Sequence, residues 1–560
     1  MEDPPRRKKE NEIVKRLGEA AEARRKAQSS VRKDKRGQSV KRLRTENGMG
    51  GAGAVGTGAE GDCGPQATGT PAPSLALSSV VGSPSSLKSC FDALVQIGSP
   101  VGNDALGFLR RVMCTSDAPI QEIVDANVVP LLVLALRSTD ASVRSDALWC
   151  LTNIATGDHD QTAQVLQAVP VLLELLACGD SSLQEQACWA LGNIAGDSDE
   201  FRVFLITNGA IPPLLAFLAS SVAATGGSPT DPGESRITST QTAAWAISNL
   251  SRGSIAALEF VASGSIPLLV SLTSHSDPVV VTEMWWLFYY LSGKENEAVE
   301  CMFHSGMADA MAQAISRANP EEITTVPILR TLCNLTNGPV EWRNEILLRP
   351  QLLPALALIL SSTVSHKEIL KEALFATGNI FDGPVEHRAL ALEAGLLNQA
   401  FQSLLAGGCD LQREAVLSIC KACVDVNAVM VILHHGGKTV IGQLVALLRA
   451  MDTEIILASL HILRVLALGF PLGCKSQVIH IYNEFELYDL VEGLQYNSNP
   501  TEVRQAAVAF LDDVFEEDEG ADDDDSHAQI GGLSFDVGAG GGGLGGMGRG
   551  RHLVRPAWMT

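Results

Sequence analysis

The chain has 560 residues, of which 46% are apolar and only 5% aromatic, so its core is expected to consist mainly of aliphatic side chains. Its formal net charge of −22 at pH 7 argues against nucleic acid as a direct ligand, because a phosphate backbone would be repelled. The N-terminal sequence MEDPPRRKK lacks the apolar core of a signal peptide, and no apolar run approaches the roughly 18 residues that a membrane span needs. We therefore expect a soluble protein with no membrane partner, whose scattered cysteines are reduced thiols.

Positive charge is concentrated at the start of the chain. Residues 1–46 hold 16 Lys and Arg against 8 Asp and Glu, so this segment carries +8 and leaves −30 for the remainder. The sequence predicts a basic helical arm over residues 1–47 and a flexible linker, rich in Gly, Ala, Ser, Thr and Pro, over residues 48–88. An acidic run followed by a Gly-rich stretch predicts a disordered tail over residues 517–560.

Residues 89–516 read as a tandem array of helical repeats. A helical pattern returns with a period near 42, and equivalent positions fall at 153, 193, 249, 290, 334, 379 and 421. Such a period indicates stacked units, each too small to bury its apolar face alone. A proline opens the apolar helix of five repeats, at 130, 170, 212, 267 and 354. The one long interval contains Ser220–Thr240, which we predict to be a surface loop.

A Trp and an Asn four residues apart recur in three consecutive repeats. The pairs are Trp149 and Asn153, Trp189 and Asn193, and Trp245 and Asn249. Residues at this spacing share one face of a helix, and we expect that face to stay open while the others are buried. Asn amides can pair with the backbone of an extended peptide, and Trp rings can form slots for the aliphatic stems of Lys and Arg. The alternative is purely structural, with Asn bonded to neighbouring backbone and Trp in the core.

Other motifs point away from catalysis. Cys420 and Cys423 form a lone CxxC inside a repeat helix, where metal binding is not expected. No nucleophile–base arrangement or phosphate-binding loop stands out, so the sequence predicts a protein that is not an enzyme and needs no cofactor or metal.

These repeats resemble armadillo repeats, and in particular those of the importin-alpha (karyopherin-alpha) family. The resemblance extends to exceptions within single repeats, because Trp286 is followed by Tyr290 and Arg330 by Asn334, as in that family. It implies an all-α, right-handed superhelix of about ten armadillo repeats. The implied function is a nuclear-import adaptor that binds Lys/Arg-rich nuclear localisation signals and links cargo to importin-beta. An armadillo scaffold of adhesion or signalling type is the alternative. Such scaffolds usually have a basic groove, which does not suit a chain whose residues after the arm carry a net charge of −30.

The resemblance also implies which residues bind. In the family's major peptide site it places Trp149, Asn153, Gly157, Thr162, Gln186, Trp189, Asn193, Asp197, Trp245, Asn249 and Glu283, with Asp197 in the pocket for the signal's key lysine. In the minor peptide site it places Trp286, Tyr290, Arg330, Asn334, Phe375, Asn379 and Glu414. The importin-beta-binding residues of the arm would be Arg24, Arg25, Arg32, Lys33, Lys35, Arg36, Lys41, Arg42 and Arg44.

Three further expectations follow from the resemblance. The protein should shuttle between cytoplasm and nucleus, with the last repeat, Phe485 to Phe515, as the surface for a recycling exportin. The arm should occupy the chain's own groove when importin-beta is absent. The minor site should be weakened, because Leu417 and Lys421 stand where the family has Trp and Asn.

Overall fold

Helices in a repeating order of three make up nearly all of the structure. The computed structural model describes residues 44–45, 48–49, 86–115, 117–225, 233–363, 365–424, 426–432, 437–468, 475–496 and 499–515. Within these ranges, helices follow one another from Leu87 to Val514. The predicted all-α fold is confirmed.

The third helix of each repeat forms the spine of the molecule, since each of these helices packs against the next one along the chain. The ten third helices are α2 (Pro100–Met113), α5 (Ala141–Ile154), α8 (Ser181–Asp197), α11 (Gly233–Leu250), α14 (Pro278–Ser292), α17 (Thr325–Asn337), α20 (Lys367–Phe381), α23 (Cys409–Ala422), α26 (Thr453–Leu468) and α29 (Thr501–Val514). Ten such helices agree with the predicted number of about ten repeats.

Within the described residues, one shorter helix precedes the third helix of the first repeat, and two precede it in each of the other nine repeats. The first helices are α3 (Ile120–Asp125), α6 (His159–Val165), α9 (Asp199–Thr207), α12 (Ala256–Ala262), α15 (Asn296–His304), α18 (Val340–Leu347), α21 (Val385–Glu393), α24 (Val426–Val431) and α27 (Lys475–Glu484). The second helices are α1 (Leu87–Leu94), α4 (Val129–Ala135), α7 (Val169–Leu175), α10 (Ile211–Thr225), α13 (Ile266–Ser271), α16 (Met307–Arg317), α19 (Leu352–Ser361), α22 (Leu396–Ala406), α25 (Gly437–Leu447) and α28 (Leu487–Gly493). Short 3₁₀ turns at Leu166–Ala168 and Leu272–Ser274 complete the helical part.

Local sequence explains where these helices begin. The predicted prolines all lie in the first turn of a second helix, where the missing N–H has no helical partner to lose. Several third helices start after an aspartate whose side chain accepts a hydrogen bond from the first turn. Asp140, Asp180 and Asp277 cap α5, α8 and α14 in this way. Each such cap typically stabilises a helix by about 1 kcal/mol.

One aliphatic core runs along the whole array. Leu148, Leu191 and Ile194 of the third helices belong to it. The ten cysteines in the described ranges all carry free thiols. Both thiols of the CxxC are buried in this core, and burial raises the pKa of Cys420 to about 12.

Two segments differ from the sequence prediction. The predicted loop Ser220–Thr240 is helical at both ends, because α10 continues to Thr225 and α11 begins at Gly233. The hydroxyl of Ser239 explains part of this extension, since it donates to Glu185 Oε2 at 2.8 Å and ties the start of α11 to α8. In the predicted helical arm, the described residues Arg44–Thr45 are extended and form strand β1, which pairs antiparallel with β2 (Gly48–Met49). The rest of the arm, and the tail, lie outside the described residues.

No single helix of the described residues is long and apolar enough to cross a membrane. Two bent helix pairs, Asp199–Thr207 with Ile211–Ala223 and Ala256–Ala262 with Ile266–Ser274, pass that test by length and composition.

Candidate peptide-binding site

The predicted binding residues lie almost entirely on the third helices. Trp149 and Asn153 are on α5, Gln186, Trp189, Asn193 and Asp197 on α8, Trp245 and Asn249 on α11, Glu283, Trp286 and Tyr290 on α14, Arg330 and Asn334 on α17, Phe375 and Asn379 on α20, and Glu414 on α23. Gly157 follows α5 and Thr162 is on α6. We call the side of the third helices that carries the five asparagines the Asn face.

The five asparagines form a ladder that joins each repeat to the one before it. Each Nδ2 donates to a backbone carbonyl in the preceding repeat: Asn153 to Met113 (2.8 Å), Asn193 to Thr152 (3.0 Å), Asn249 to Gly192 (3.1 Å), Asn334 to Tyr289 (3.0 Å) and Asn379 to Cys333 (3.1 Å). In the last four bonds the acceptor is the residue just before the equivalent position of that repeat. The ladder therefore keeps the repeats in register.

The ladder gives the asparagines the structural role that sequence analysis kept as its alternative. Asn153, Asn193 and Asn249 are fully buried, so the Trp/Asn face that we expected to stay open is closed at these three positions. One N–H holds the neighbouring repeat and fixes the orientation of the amide. In general, the N–H and carbonyl groups of a primary amide can pair with the backbone of an extended peptide.

The tryptophans are less open than the sequence pattern suggests. Trp189 and Trp245 are only 3% and 2% exposed, and their ring centroids lie 6.4 Å apart in an edge-to-face contact. Gly192 permits this approach, because a Cβ there would lie 2.4 Å from Cζ3 of Trp245. A slot for a lysine stem needs two rings about 7 Å apart and face to face, twice an optimal carbon contact. These two rings therefore form no such slot between them.

Asp197 closes α8 beside the turn that follows α5. Its side chain is 9% exposed, and its Oδ1 lies 2.7 Å from Nδ1 of His159, the first residue of α6. The hydroxyl of Thr162 is buried and lies 3.4 Å from the carbonyl of Ala155 and 3.5 Å from that of Gly157. Through His159, Asp197 is therefore connected to the segment that contains Gly157 and Thr162.

His159 is a member of this cluster that the sequence analysis did not identify. Its ring stacks on Phe201, with centroids 4.5 Å apart and planes within 7° of parallel. The hydrogen bond to Asp197 raises the pKa of His159 above its usual value. The carboxylate of Asp197 therefore favours the protonated form of the imidazole.

A polar residue recurs three positions before the aromatic position of several third helices. Gln186, Glu283, Glu372 and Glu414 all occupy it, and all four side chains are buried. Within the described ranges, the Oε1 atom of Gln186 has no hydrogen-bond partner. Glu372 was absent from the predicted site, although its spacing from Phe375 matches that of Glu283 from Trp286 and could have identified it.

The guanidinium of Arg330 lies against the aromatic side chains of α14, so a cation of the chain itself occupies this cluster. Its guanidinium carbon lies 5.6 Å from the ring centroid of Trp286 and 5.9 Å from that of Tyr289, and its Nε donates to Glu372 Oε1 at 3.0 Å. The side chains of Arg330 and Glu372 are only 8% and 1% exposed. The predicted minor site therefore contains a buried ion pair between α17 and α20.

The far end of the predicted minor site has its own positive charge, as its sequence suggested. Lys421 stands where the next asparagine of the ladder would be, and its Nζ lies 3.4 Å from Asp382 Oδ2. Leu417 and Phe375 are half-buried against the core. The ion pair reduces the repulsion that Lys421 would exert on a bound cation, but it does not replace the missing amide.

Of the predicted arm residues, Arg44 lies within the described ranges. Strand β1, which contains it, lies against α5, the helix that carries Trp149 and Asn153. The other arm residues, Arg24, Arg25, Arg32, Lys33, Lys35, Arg36, Lys41 and Arg42, lie outside the described residues.

Comparisons with known proteins agree with this architecture. The family model described as Armadillo/beta-catenin-like repeat matches residues 116–156 and 158–196. The chain is 31% identical to importin subunit alpha-2 of Oryza sativa subsp. japonica over 440 residues, which cover 75% of this chain and 79% of that protein. It is 27% identical to importin subunit alpha-9 of Arabidopsis thaliana over 439 residues, with 75% and 80% covered. A crystal structure of an engineered protein matches with a TM-score of 0.66 and 25% identity, covering 76% of this chain and 98% of that one. The chain belongs to the importin-alpha family of armadillo-repeat proteins.

Proposed function

We propose that this protein is a nuclear-import adaptor that binds Lys/Arg-rich signals along its Asn face and links cargo to importin-beta through its basic arm. Membership of the importin-alpha family supports the general role, and that role involves no catalysis. The observation that carries the finer proposal is the register between the asparagine ladder and Asp197. Three consecutive ladder amides lead along α5, α8 and α11 past a nearly buried carboxylate.

The geometry supports different roles for the residues that would contact the peptide backbone and those that would contact its side chains. The amides of Asn153, Asn193 and Asn249 would pair with the extended backbone, since a primary amide carries both donors and an acceptor and the ladder bond fixes its orientation. The ammonium of one lysine would bind Asp197. Other stems would lie beside Trp189 and Trp245, and a cation–π contact of about 0.5–2 kcal/mol there requires these buried rings to become more exposed.

The test is the binding of a fluorescent synthetic peptide with five consecutive Lys/Arg residues to the full chain, with a peptide of five alanines as the control. We expect binding of the first peptide only. A second assay measures the accumulation of a fluorescent protein fused to the basic peptide in nuclei of permeabilised cells. Accumulation should require both this chain and importin-beta, and failure to bind the basic peptide would contradict the proposal.

The arm is expected to compete with cargo for the Asn face. We define the arm-silenced chain as the full chain carrying Lys41→Ala, Arg42→Ala and Arg44→Ala. It should bind the basic peptide about three- to tenfold more tightly than the unmodified chain, because a tethered competitor acts at a high effective concentration. The contact of β1 with α5 supports this prediction. Fluorescence anisotropy titration measures the difference, and equal affinities would contradict autoinhibition but not the fold.

Signals with two basic clusters should gain little from the minor site. Phe375 offers a weaker cation–π face than Trp, and Leu417 offers none. Replacing the upstream cluster by alanine should therefore weaken binding to the arm-silenced chain by less than about tenfold, or about 1.4 kcal/mol. A larger loss would show a fully working minor site.

The register of the ladder provides a way to rescue the minor site. An asparagine at position 421 should donate to the carbonyl of Gly378, the residue before Asn379, as the other ladder members do. Leu417→Trp combined with Lys421→Asn should therefore increase the contribution of the upstream cluster. If the double substitution leaves that contribution unchanged, these two residues are not the cause of the weak site.

The remaining proposals concern the movement of the protein between nucleus and cytoplasm after cargo release. We propose that the protein shuttles between cytoplasm and nucleus and that its last repeat binds a recycling exportin. Tyr488 and Phe515 form an edge-to-face pair in that repeat, with ring centroids 5.4 Å apart, and Tyr488 is partly exposed.

A further inference from the structure

We propose that His159 is a further residue of the lysine pocket, where it competes as a cation for Asp197 and loses its proton when a peptide's ammonium binds. This inference rests on the proposed function, because it assumes that a lysine uses Asp197. It makes peptide binding dependent on pH near neutrality, through one residue on α6.

The geometry makes the competition direct. Nδ1 of His159 lies 2.7 Å from Oδ1 of Asp197, a hydrogen bond that connects α6 to the end of α8 across 38 positions of sequence. The face of the His159 ring stacks on Phe201, which also holds the ring in place. His159 is half exposed, whereas Asp197 is nearly buried, so the ring lies on the solvent side of the carboxylate. An ammonium that approaches Asp197 from solvent therefore meets the imidazole.

The charged groups around His159 favour its protonated form. They are Asp197 on α8, Glu200 on α9 and Asp160 on its own helix, and together they raise the pKa of the ring. Arg202 is the nearby cation on α9, where its Nη1 donates to the carbonyl of Ala195 at 2.9 Å. The α3 helix meets α6 through a neutral hydrogen bond from Gln161 to Gln121.

The sign of the pH effect follows from these contacts. In the free protein the contact with Asp197 stabilises the imidazolium. A bound ammonium takes over that carboxylate and adds a positive neighbour, so the pKa of His159 falls and binding releases protons. Affinity should therefore rise with pH over the range between the lower, bound pKa and the raised, free pKa. The Lys and Arg of the peptide stay charged throughout this range.

The test measures the affinity of the five-residue Lys/Arg peptide from pH 5.5 to pH 8 on the arm-silenced chain, so that the chain's own basic residues do not occupy Asp197. A fall of one unit in the pKa of His159 corresponds to about a tenfold gain in affinity over the full titration. We expect a gain of about fivefold or more. Calorimetry in two buffers with different ionisation enthalpies should show proton release on binding near pH 6.5.

Two substitutions and one control isolate the residue. His159→Gln removes the charge, and His159→Phe also keeps an aromatic ring against Phe201. Both should flatten the pH profile and abolish proton release. His480→Gln is the control, because His480 also pairs with a carboxylate, Glu484 at 3.5 Å, but is exposed and lies in a distant repeat. It should leave the pH profile unchanged.

The outcomes separate the inference from the proposed function. If the chain binds the peptide and both His159 variants keep its pH profile, His159 is not the competitor and the inference fails alone. If the chain fails to bind the peptide at every pH, the proposed function fails and the inference falls with it. A profile that is flat in the arm-silenced chain itself also overturns the inference.

Discussion

Asp197→Lys is expected to weaken binding of the basic peptide to the arm-silenced chain by about a hundredfold or more, which is about 2.7 kcal/mol. The Asp197 side chain is nearly buried at the end of α8, so a lysine there would place a positive charge where the ammonium of the peptide has to bind. Loss of a close, desolvated charge partner typically costs about 2–5 kcal/mol, and like charge adds repulsion. Fluorescence anisotropy titration measures the change.

The matched control for this substitution is Glu300→Lys. It makes the same change in net charge at an exposed position of α15, away from the Asn face, and should leave affinity within about twofold at moderate salt. Circular dichroism must show that both variants remain helical. If folded Asp197→Lys protein binds the peptide as tightly as the control does, Asp197 is not part of the lysine pocket.

The repeat architecture was predictable because it follows from local rules. Prolines at the start of second helices and apolar positions at helical spacing each depend on neighbouring residues only, and the same local pattern returns with a period near 42. Stacking such units buries one continuous core, because each repeat covers the apolar face of its neighbour. The loop at Ser220–Thr240 was predicted less well, because the bond from Ser239 to Glu185 joins residues 54 positions apart.

The placement of the candidate residues on one helix of each repeat was predictable, but their contacts were not. The pattern placed Asn193 on a shared helical face, yet its bond to the carbonyl of Thr152 depends on how α8 packs on α5. The burial of Trp245 likewise depends on Gly192 of the preceding repeat. His159 was missed for the same reason, because nothing near it in sequence indicates Asp197 as its partner. Register between repeats is a tertiary property, and a single sequence encodes it only indirectly.

Arg330 is the clearest case in which the structure adds a role to a residue that sequence analysis had assigned to peptide binding. It replaces the aromatic residue of its repeat, and the resemblance assigns it to the minor site. In the structure its guanidinium pairs with Glu372 and covers Trp286, so it also joins two repeats. Under the proposed function, peptide binding and repeat stacking would therefore use the same side chain.

Glu372→Leu is expected to destabilise the protein by about 3 kcal/mol, the low end of the usual range for removing one partner of a buried ion pair. The substitution leaves the guanidinium of Arg330 buried between α17 and α20 without its closest carboxylate. Glu368 lies 4.0 Å from Arg330 and is partly exposed, so it compensates only in part. Urea unfolding followed by circular dichroism measures the loss, and hydrogen exchange should show faster opening of α17 and α20 than of α5 and α8.

Two further variants test whether the unpaired charge of Arg330 causes the loss of stability. Glu174→Leu removes a carboxylate from the exposed pair with Arg137, where both side chains are more than half exposed, and should cost less than about 1 kcal/mol. The double variant Arg330→Leu with Glu372→Leu removes both charges and should be more stable than Glu372→Leu alone, since an apolar pair can replace a buried ion pair at little cost. If the double variant is the less stable of the two, the loss in Glu372→Leu comes from packing around α20 and not from an unpaired guanidinium.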